Sequence, residues 1–365
     1  MSTSKFRFTG SGRKVMSQLH QLEGLYNQKV KIDEQEQKRY QGLLKYVVDA
    51  VIDNMKKTTP EFDDLYRETY WGGSFFDGLK VGSTEQEFDL NIVFKRKGTY
   101  GEIKRVGTDS KKKNFAFIEV KKSPLTNSEE KITFEKDENK FLSPVKMFNL
   151  LKKAVDRVLT KMSLTLDYQG HEYRITRQEF APVTLKVVGN GMSFEVDLVP
   201  SIKYNFDALQ GNNLLIKHVS DLCNEFGVST ETRNFMAISL HRADKEKFEL
   251  DFHDVERKIL FDRGCVKKVI KLLKYLRDLK GGPMLKLWSH LLKVVIVDCR
   301  LQNVQRYFQT SVMHLVMKKP KSYWNNENLV TCFIDSLRNL LQLLTDKSVT
   351  DVFFPEVIQL SDPQY

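Results

Sequence analysis

Residues Trp71–Leu90 read WGGSFFDGLKVGSTEQEFDL, and the fold turns on what this stretch is. Four glycines and three serines or threonines come first, followed by Glu87 and Asp89 one residue apart. A Gly72-Gly73-Ser74 turn ahead of a short helix or turn at Ser74–Lys80 presents free backbone N–H groups and a positive dipole end, which suit phosphate. Phe88–Lys95, FDLNIVFK, alternates and is rich in β-formers, so it is a strand. In a strand i and i+2 face the same way, so Glu87 and Asp89 project side by side and Phe88 points to the other face. Two adjacent carboxylates repel. They are tolerated when solvated and useful when they hold Mg²⁺, a hard cation that takes oxygen ligands. The same letters also describe a polar surface turn leading into two solvated strand acids.

A metal site of this kind needs a third carboxylate on a neighbouring strand. FEVDLVP (Phe194–Pro200) offers two. Asp197 and Glu195 share the face opposite Phe194, Val196 and Leu198, and composition alone does not choose between them. Two metals on three carboxylates lower the pKa of an attacking hydroxyl and stabilise a leaving pyrophosphate. The stretch therefore predicts nucleotidyl transfer from an NTP.

Around this core the periodicity predicts an α+β protein of two lobes. Asp33 is an N-cap, and Tyr40, Leu43, Leu44, Val47, Val48, Val51, Ile52 and Met55 recur at helical spacing, giving one long spine helix at 33–57 that stops before Pro60. Phe115–Lys122 is a strand and Asn127–Ser143 reads as loop. Pro144–Met162 is a second amphipathic helix. HEYRITRQ, APVTLKVVG and MSFEVDLVPSIKY are strands, with Gly189-Asn190-Gly191 as a hairpin turn. After about residue 210 helical periodicity dominates, at 211–225, 252–279, 284–299 and 325–346. The expected division is a basic N-terminal segment at 1–32, a catalytic lobe at 33–210 and a helical lobe at 211–365.

The chain has 365 residues, enough for one large or two medium domains, and a formal charge of +11. Residues 95–122 carry ten Lys/Arg against three acids, and residues 254–300 carry twelve against five. Two separate basic regions point to a polyanionic partner. No apolar run approaches the roughly 18 residues that span a bilayer, and the basic start MSTSKFRFTGSGRK is followed by no apolar h-region. Cys223, Cys265, Cys299 and Cys332 lie far apart with no CxxC, which argues against a zinc site or a disulfide framework and for small core residues in a reduced, cytoplasmic protein. His20, His171, His218, His241, His253 and His314 fall in no ligand or catalytic pattern.

GGSFFDGLKVGSTEQEFDLNIVFK resembles the active-site segment of the cyclic GMP–AMP synthase and male-abnormal family of nucleotidyltransferases, which includes the cGAS-like receptors. The resemblance runs from the helix at 33–57 to VFFPEVIQL at 352–360. It implies that Gly73 and Ser74 bind phosphate and that Glu87, Asp89 and Asp197 hold two Mg²⁺ or Mn²⁺, selecting Asp197 over Glu195. It also implies that Lys80–Gln86 is an activation loop. IKLLKYL (Ile270–Leu276) resembles the segment whose lysine, here Lys274, contacts nucleotide phosphates. LWSHLLK (Leu287–Lys293) resembles the one that offers a serine to phosphate and an aromatic to the base, here Ser289 and His290. FELDFHDVERKIL (Phe248–Leu260) resembles a base-reading segment in which Glu256 matches a retained acid. Glu249 and Asp251 stand where the vertebrate DNA sensor has arginine and serine, and a carboxylate in place of a guanidinium inverts the donor/acceptor pattern offered to a base.

The DNA-sensing synthase also inserts a His/Cys-rich zinc loop just before the segment matching Lys267–Lys280. This chain reads DRGCVKKVIKLL there, so no zinc is expected. That fits the insect-type receptors, whose ligand, where known, is double-stranded RNA; DNA is the alternative. Double-stranded RNA is bound through backbone and shape. The residues implied to do so are Lys38, Arg39, Lys45 and Lys56 on the spine helix with Arg263, Lys267, Lys268 and Lys271. The implied protein makes a cyclic dinucleotide of the cGAMP type from ATP and GTP in innate immune signalling, as a monomer or a ligand-induced dimer without a membrane. A catalytically silent binding or scaffold protein and a template-independent oligonucleotide synthase are the competing readings.

Overall fold

The computed structural model describes residues 12–82, 86–95, 103–105, 115–120, 125–161, 164–178, 183–206, 213–239, 246–261, 263–278, 304–346, 348–349, 352–353 and 358–359. The helix expected at 284–299 lies outside them.

The described part opens with α1 (Gly12–Leu25), a π-helical turn at Tyr26–Val30, and α2 (Glu34–Thr58). Asp33 caps α2, accepting from Gln35 N at 2.9 Å and Glu36 N at 3.0 Å, which satisfies donors the helix cannot satisfy itself. Leu43, Leu44, Val47, Val48, Val51, Ile52 and Met55 are its buried stripe. Pro60 then opens α3 (Pro60–Leu65), where its missing N–H costs nothing. β1 (Tyr66–Trp71), the four-residue α4 (Gly73–Phe76) and β2 (Gln86–Phe94) follow, then β3 (Ile103–Arg105) and β4 (Phe115–Ile118).

Asn127–Ser143 is more ordered than its polar sequence suggests. It forms α5 (Asn127–Glu130) and the hairpin β5 (Thr133–Lys136) and β6 (Asn139–Leu142). Asp137 and Glu138 make the turn at φ 49° and 62° without a glycine to announce it. α6 (Pro144–Lys161) packs beside α2. Then come β7 (Leu164–Tyr168), β8 (His171–Arg177), β9 (Val183–Gly189) and β10 (Met192–Asn205). The β9–β10 turn has Asn190 and Gly191 at φ 44° and 69°, as the Gly-Asn-Gly signal requires.

Among the described residues, ten strands make one sheet in the order β3-β4-β12-β11-β10-β9-β8-β7, with β2 and then β1 branching from β10. β11 (Asn234–Ile238) and β12 (Phe248–Asp251) carry this sheet well past residue 210, into the part of the chain read as helical. The long β10 is its junction. Its first half lies between β9 and β2, parallel to β2, and its last residues pair with β11. α2 and α6 cover one face, where Tyr40 meets Phe88 and Phe194 at ring-centroid distances of 6.1 and 6.0 Å.

The helical part contains α7 (Asn213–Glu225), α8 (His253–Leu260), α9 (Val266–Asp278), α10 (Val304–Lys318) and α11 (Leu329–Thr345). The periodicity at 252–279 thus covers two helices. The break is at Gly264 (φ 29°), where a Cβ would sit 2.2 Å from the Trp324 carbonyl oxygen. α9, α10 and α11 pack together around Val269, Leu273, Val312 and Leu340. α1 packs on α11, and the π turn packs on α9. Ser348–Val349 (β13) pairs with Ile358–Gln359 (β14). No described helix is long and apolar enough to cross a membrane.

Candidate active site

The strand period decides the floor of the site. Phe88 is buried under α2, so Glu87 and Asp89 emerge on the opposite face of β2. The parallel register sets Asp197 of β10 beside Asp89 and Glu195 beside Glu87. The two β10 acids then part. Gln178 donates to Glu195, whereas Asp197 accepts from the buried Thr184 hydroxyl and joins the β2 pair. Glu87, Asp89 and Asp197 each offer an oxygen within 4.8 Å of the others. All three are reachable from the cleft, Glu87 and Asp89 most openly.

The electrostatics of this cluster ask for a cation. Burial, then the charges of Asp89 and Asp197, raise the Glu87 pKa. Burial and Asp197 raise that of Asp89, against the opposing charges of Lys80, Lys274 and His253. Three oxygen donors that repel one another and stay open on one side fit a hard divalent ion.

Above the floor stands the glycine turn. Trp71 pairs with Leu90, so the chain leaving β1 at Gly72 emerges beside Asp89. Gly73 has φ 79°, and a Cβ there would lie 2.8 Å from Asp89 Oδ2. Glycine is required twice over, by the dihedral and by the approach. Ser74 follows in the first turn of α4, and its carbonyl accepts from Leu79 N at 2.6 Å. Lys274, on α9, is 3% exposed, and Lys80 is also buried. Two enclosed ammonium groups near the carboxylates make the cleft favourable to phosphate.

Glu256 lies on α8 and accepts from Gln309 Nε2 of α10 at 2.7 Å. Its carboxylate is enclosed although part of the residue reaches solvent, and burial raises its pKa to about 7. Glu249 pairs opposite Ile238 and Phe115 in the sheet. Asp251, also on β12, is close enough for its charge to act on His253 and Glu256. Ser289, His290 and the part of the Lys80–Gln86 loop at 83–85 lie outside the described residues.

The eight basic residues expected on a polyanion surface do not form one open stripe. Lys38, Arg39 and Lys45 are exposed on α2, and Arg39 donates to Asn190 O at 3.3 Å. Lys56 is partly covered, 3.9 Å from Asp53 and 4.4 Å over the Tyr66 ring. Arg263 lies 4.7 Å over Phe226, and Lys268 lies 5.7 Å over Tyr26. Lys267 is half-buried. Lys271 is buried rather than offered outward; burial, with Lys267 and Lys31 adding repulsion, lowers its pKa to about 8.

Sequence patterning missed a group behind the turn. Asp77, given no role, accepts from Arg257 Nε at 2.9 Å, with His253 Nε2 3.0 Å away. The available signal was the i, i+4 spacing of His253 and Arg257, which puts both on one helix face.

Comparison with known proteins identifies the domains that carry these residues. Residues 75–262 match the Mab-21 protein nucleotidyltransferase domain, and residues 265–361 match the Mab-21 protein HhH/H2TH-like domain. The first match begins one residue after Ser74 and takes in the whole carboxylate cluster. A cyclic GMP-AMP synthase-like receptor of Nicrophorus vespilloides is 26% identical over 320 residues, covering 81% of this chain and 83% of the relative. Receptors of the same description from Aethina tumida and Tribolium castaneum are each 23% identical. They align over 85% and 88% of this chain and 78% and 77% of their own lengths. With more than half its length in the first domain and most of the remainder in the second, the chain belongs to the Mab-21 family of nucleotidyltransferases.

Proposed function

We propose that the protein is a cGAS-like receptor that, on binding double-stranded RNA, joins ATP and GTP into a cyclic dinucleotide of the cGAMP type for innate immune signalling. The observation that carries this reading is the three-carboxylate cluster set directly beneath a positive-φ glycine turn and faced by two buried lysines. Glu87, Asp89 and Asp197 would hold Mg²⁺ or Mn²⁺, which when bound lowers the pKa of a ribose hydroxyl and offsets charge on the phosphates. The turn at Gly73 and Ser74 would take the triphosphate through N–H and hydroxyl donors, and Lys274 would add charge. In each of two steps a ribose oxygen forms a bond to an α-phosphorus. The α–β bridging P–O bond breaks, pyrophosphate leaves, and the hydroxyl proton passes to solvent. Lys38, Arg39 and Lys45, exposed on α2, support a polyanion as activator, and the similarity to insect receptors supports the signalling role.

The test is incubation of the full chain with ATP, GTP, CTP and UTP, Mg²⁺ or Mn²⁺, and double-stranded RNA or DNA, with products sized by mass spectrometry. A single cyclic product that needs RNA and disappears in Asp89→Asn is expected. A product ladder means a linear oligonucleotide synthase, and activation by DNA alone moves the ligand assignment. If no nucleic acid elicits a product sensitive to Asp89→Asn, the enzymatic reading is wrong.

A further inference from the structure

α4 is four residues long, too short to hold its own shape. On one side it is held by apolar packing, the Phe75 ring lying 4.7 Å from that of Phe88 with an interplanar angle of 77°. On the other side it is held by charge. Arg257 Nη2 donates to the carbonyl oxygen of Trp71 at 3.1 Å, just before the turn. Arg257 Nε donates to Asp77 Oδ1 at 2.9 Å, just after it. One guanidinium therefore ties both ends of Gly72–Phe76. His253, one helical turn earlier on α8, lies 3.0 Å from the same carboxylate, and a Cβ on Gly72 would come within 3.6 Å of its Nε2.

β1 is pinned to the same helix. Tyr70 donates its hydroxyl to Asp254 Oδ1 at 2.6 Å and meets the His253 ring edge-on at 5.9 Å. The Arg257 guanidinium lies 5.7 Å over the Tyr70 ring. These groups are largely enclosed, the Asp77 and His253 side chains being 9% and 15% exposed. Burial alone would raise the Asp77 pKa, yet His253 and Arg257 hold it below the usual carboxylate range. Burial alone would lower that of His253, yet Asp77, Asp251 and Glu256 raise it to about 9. Apolar residues would stabilise such a position as well or better. What buried charged hydrogen bonds add is a fixed direction and length.

We propose that Asp77, His253 and Arg257 are positioning residues for nucleotide binding. By gripping Asp77 and the Trp71 carbonyl from α8, His253 and Arg257 bracket Gly72–Phe76 and hold the glycine turn at the distance from Asp89 that a metal-bound triphosphate needs. This rests on the nucleotide reading of the site. The turn has little room to wander, because Gly73 already lies against the Asp89 carboxylate. Release of the bracket lets the turn move away from the carboxylates, so phosphate donors and metal ligands no longer meet one ligand together. The loss appears in triphosphate binding, while the carboxylates themselves stay in place on β2 and β10.

The experiment compares the wild-type full chain with Arg257→Lys, His253→Gln and the control Glu87→Gln. Amide hydrogen exchange is measured over residues 71–80 without ligand, and ATP and GTP binding is measured with Mg²⁺ by calorimetry. Arg257→Lys keeps the charge but cannot reach the Trp71 carbonyl and Asp77 together. His253→Gln keeps a donor without the charge. Both are expected to exchange at least about tenfold faster over 71–80, with unchanged exchange in α2, and to bind nucleotide about 10- to 100-fold more weakly. In turnover assays the loss should fall on KM, with kcat changed less than about threefold, whereas Glu87→Gln should lose kcat and keep wild-type exchange over 71–80. Wild-type exchange over 71–80 in folded Arg257→Lys and His253→Gln overturns the bracket. Faster exchange with undiminished nucleotide affinity overturns its link to binding. Wild-type protein that binds neither ATP nor GTP sinks the nucleotide reading itself, and the exchange data still decide whether the bracket holds the turn.

Discussion

At Gly73 a methyl group has nowhere to go: φ is 79° and the added carbon would meet Asp89 Oδ2 at 2.8 Å. Gly73→Ala is expected to lower nucleotide turnover at least about 100-fold and to destabilise the fold by about 1–2 kcal/mol, read as an earlier thermal melt. Asp89→Asn acts in the opposite direction on stability. It removes a carboxylate that burial and Asp197 make costly, so it should melt later without metal while losing about 1,000-fold in turnover. Because the Glu87 and Asp89 pKa values are raised, titration calorimetry should show Mg²⁺ affinity being lost as pH is lowered, starting at a higher pH than for ordinary carboxylates. Glu256 gives a separate pH signature. It faces His253, Asp251, Asp77, Arg257, Lys267 and Gln309, and its folded pKa is about 7 against an ordinary 4.5. The folded chain thus keeps a proton that the unfolded chain releases. The associated stability is complete below about 4.5 and lost as pH rises through about 7. Glu256→Gln avoids that loss, so it should be more stable than wild type by about 1–2 kcal/mol at pH 8 and no more stable near pH 5, as read by denaturant melts. Sequence alone could put Glu87 and Asp89 on one face, since that needs only the strand period. It could not separate Asp197 from Glu195, which share a face. Their hydrogen-bond partners, Thr184 and Gln178, come from a neighbouring strand and the residue after another. The pairing of Asp77 with His253 was invisible for the same reason, the two being 176 positions apart in sequence.

Elements with a dense apolar stripe were legible, and several others, the 15-residue α10 among them, were not. α2 and α6 match their expected spans to within a residue or two, because seven buried residues in α2 alone recur at helical spacing. β1 (YRETYW) was missed because it is mostly polar and only partly buried. β11 and β12 were missed because five and four residues give too little periodicity to register. The α8–α9 break was hidden inside a continuous apolar pattern, and its cause is a contact with Trp324 far along the chain. That contact makes Gly264 the point to test. Gly264→Ala would drive a carbon to 2.2 Å from the Trp324 carbonyl oxygen, so a loss of more than about 2 kcal/mol is expected in thermal unfolding.

On the scale of the whole molecule, the stretch from Gly12 to Ile32 is built into the structure. α1 rests on α11, Val30 and Ile32 are buried, and Gly82 N donates to Val30 O at 3.2 Å where the Lys80–Gln86 loop begins. Removal of residues 1–32 is therefore expected to lower the melting temperature and to increase binding of a hydrophobic dye, whereas a merely basic tail would be lost without effect. The α+β class was visible in the change of periodicity along the chain. The continuation of the sheet to Asp251 was not, because strand order is a property of long-range pairing. The parallel pairing of β2 and β10 has a consequence for biosynthesis. Asp89 and Asp197 are separated by about 110 residues of chain, and β10 is completed against β11 only after a further stretch has been made. A nascent chain on the ribosome can thus present the glycine turn and the first two acids long before the third arrives, and it stays unable to consume nucleotide until most of the enzyme has been translated.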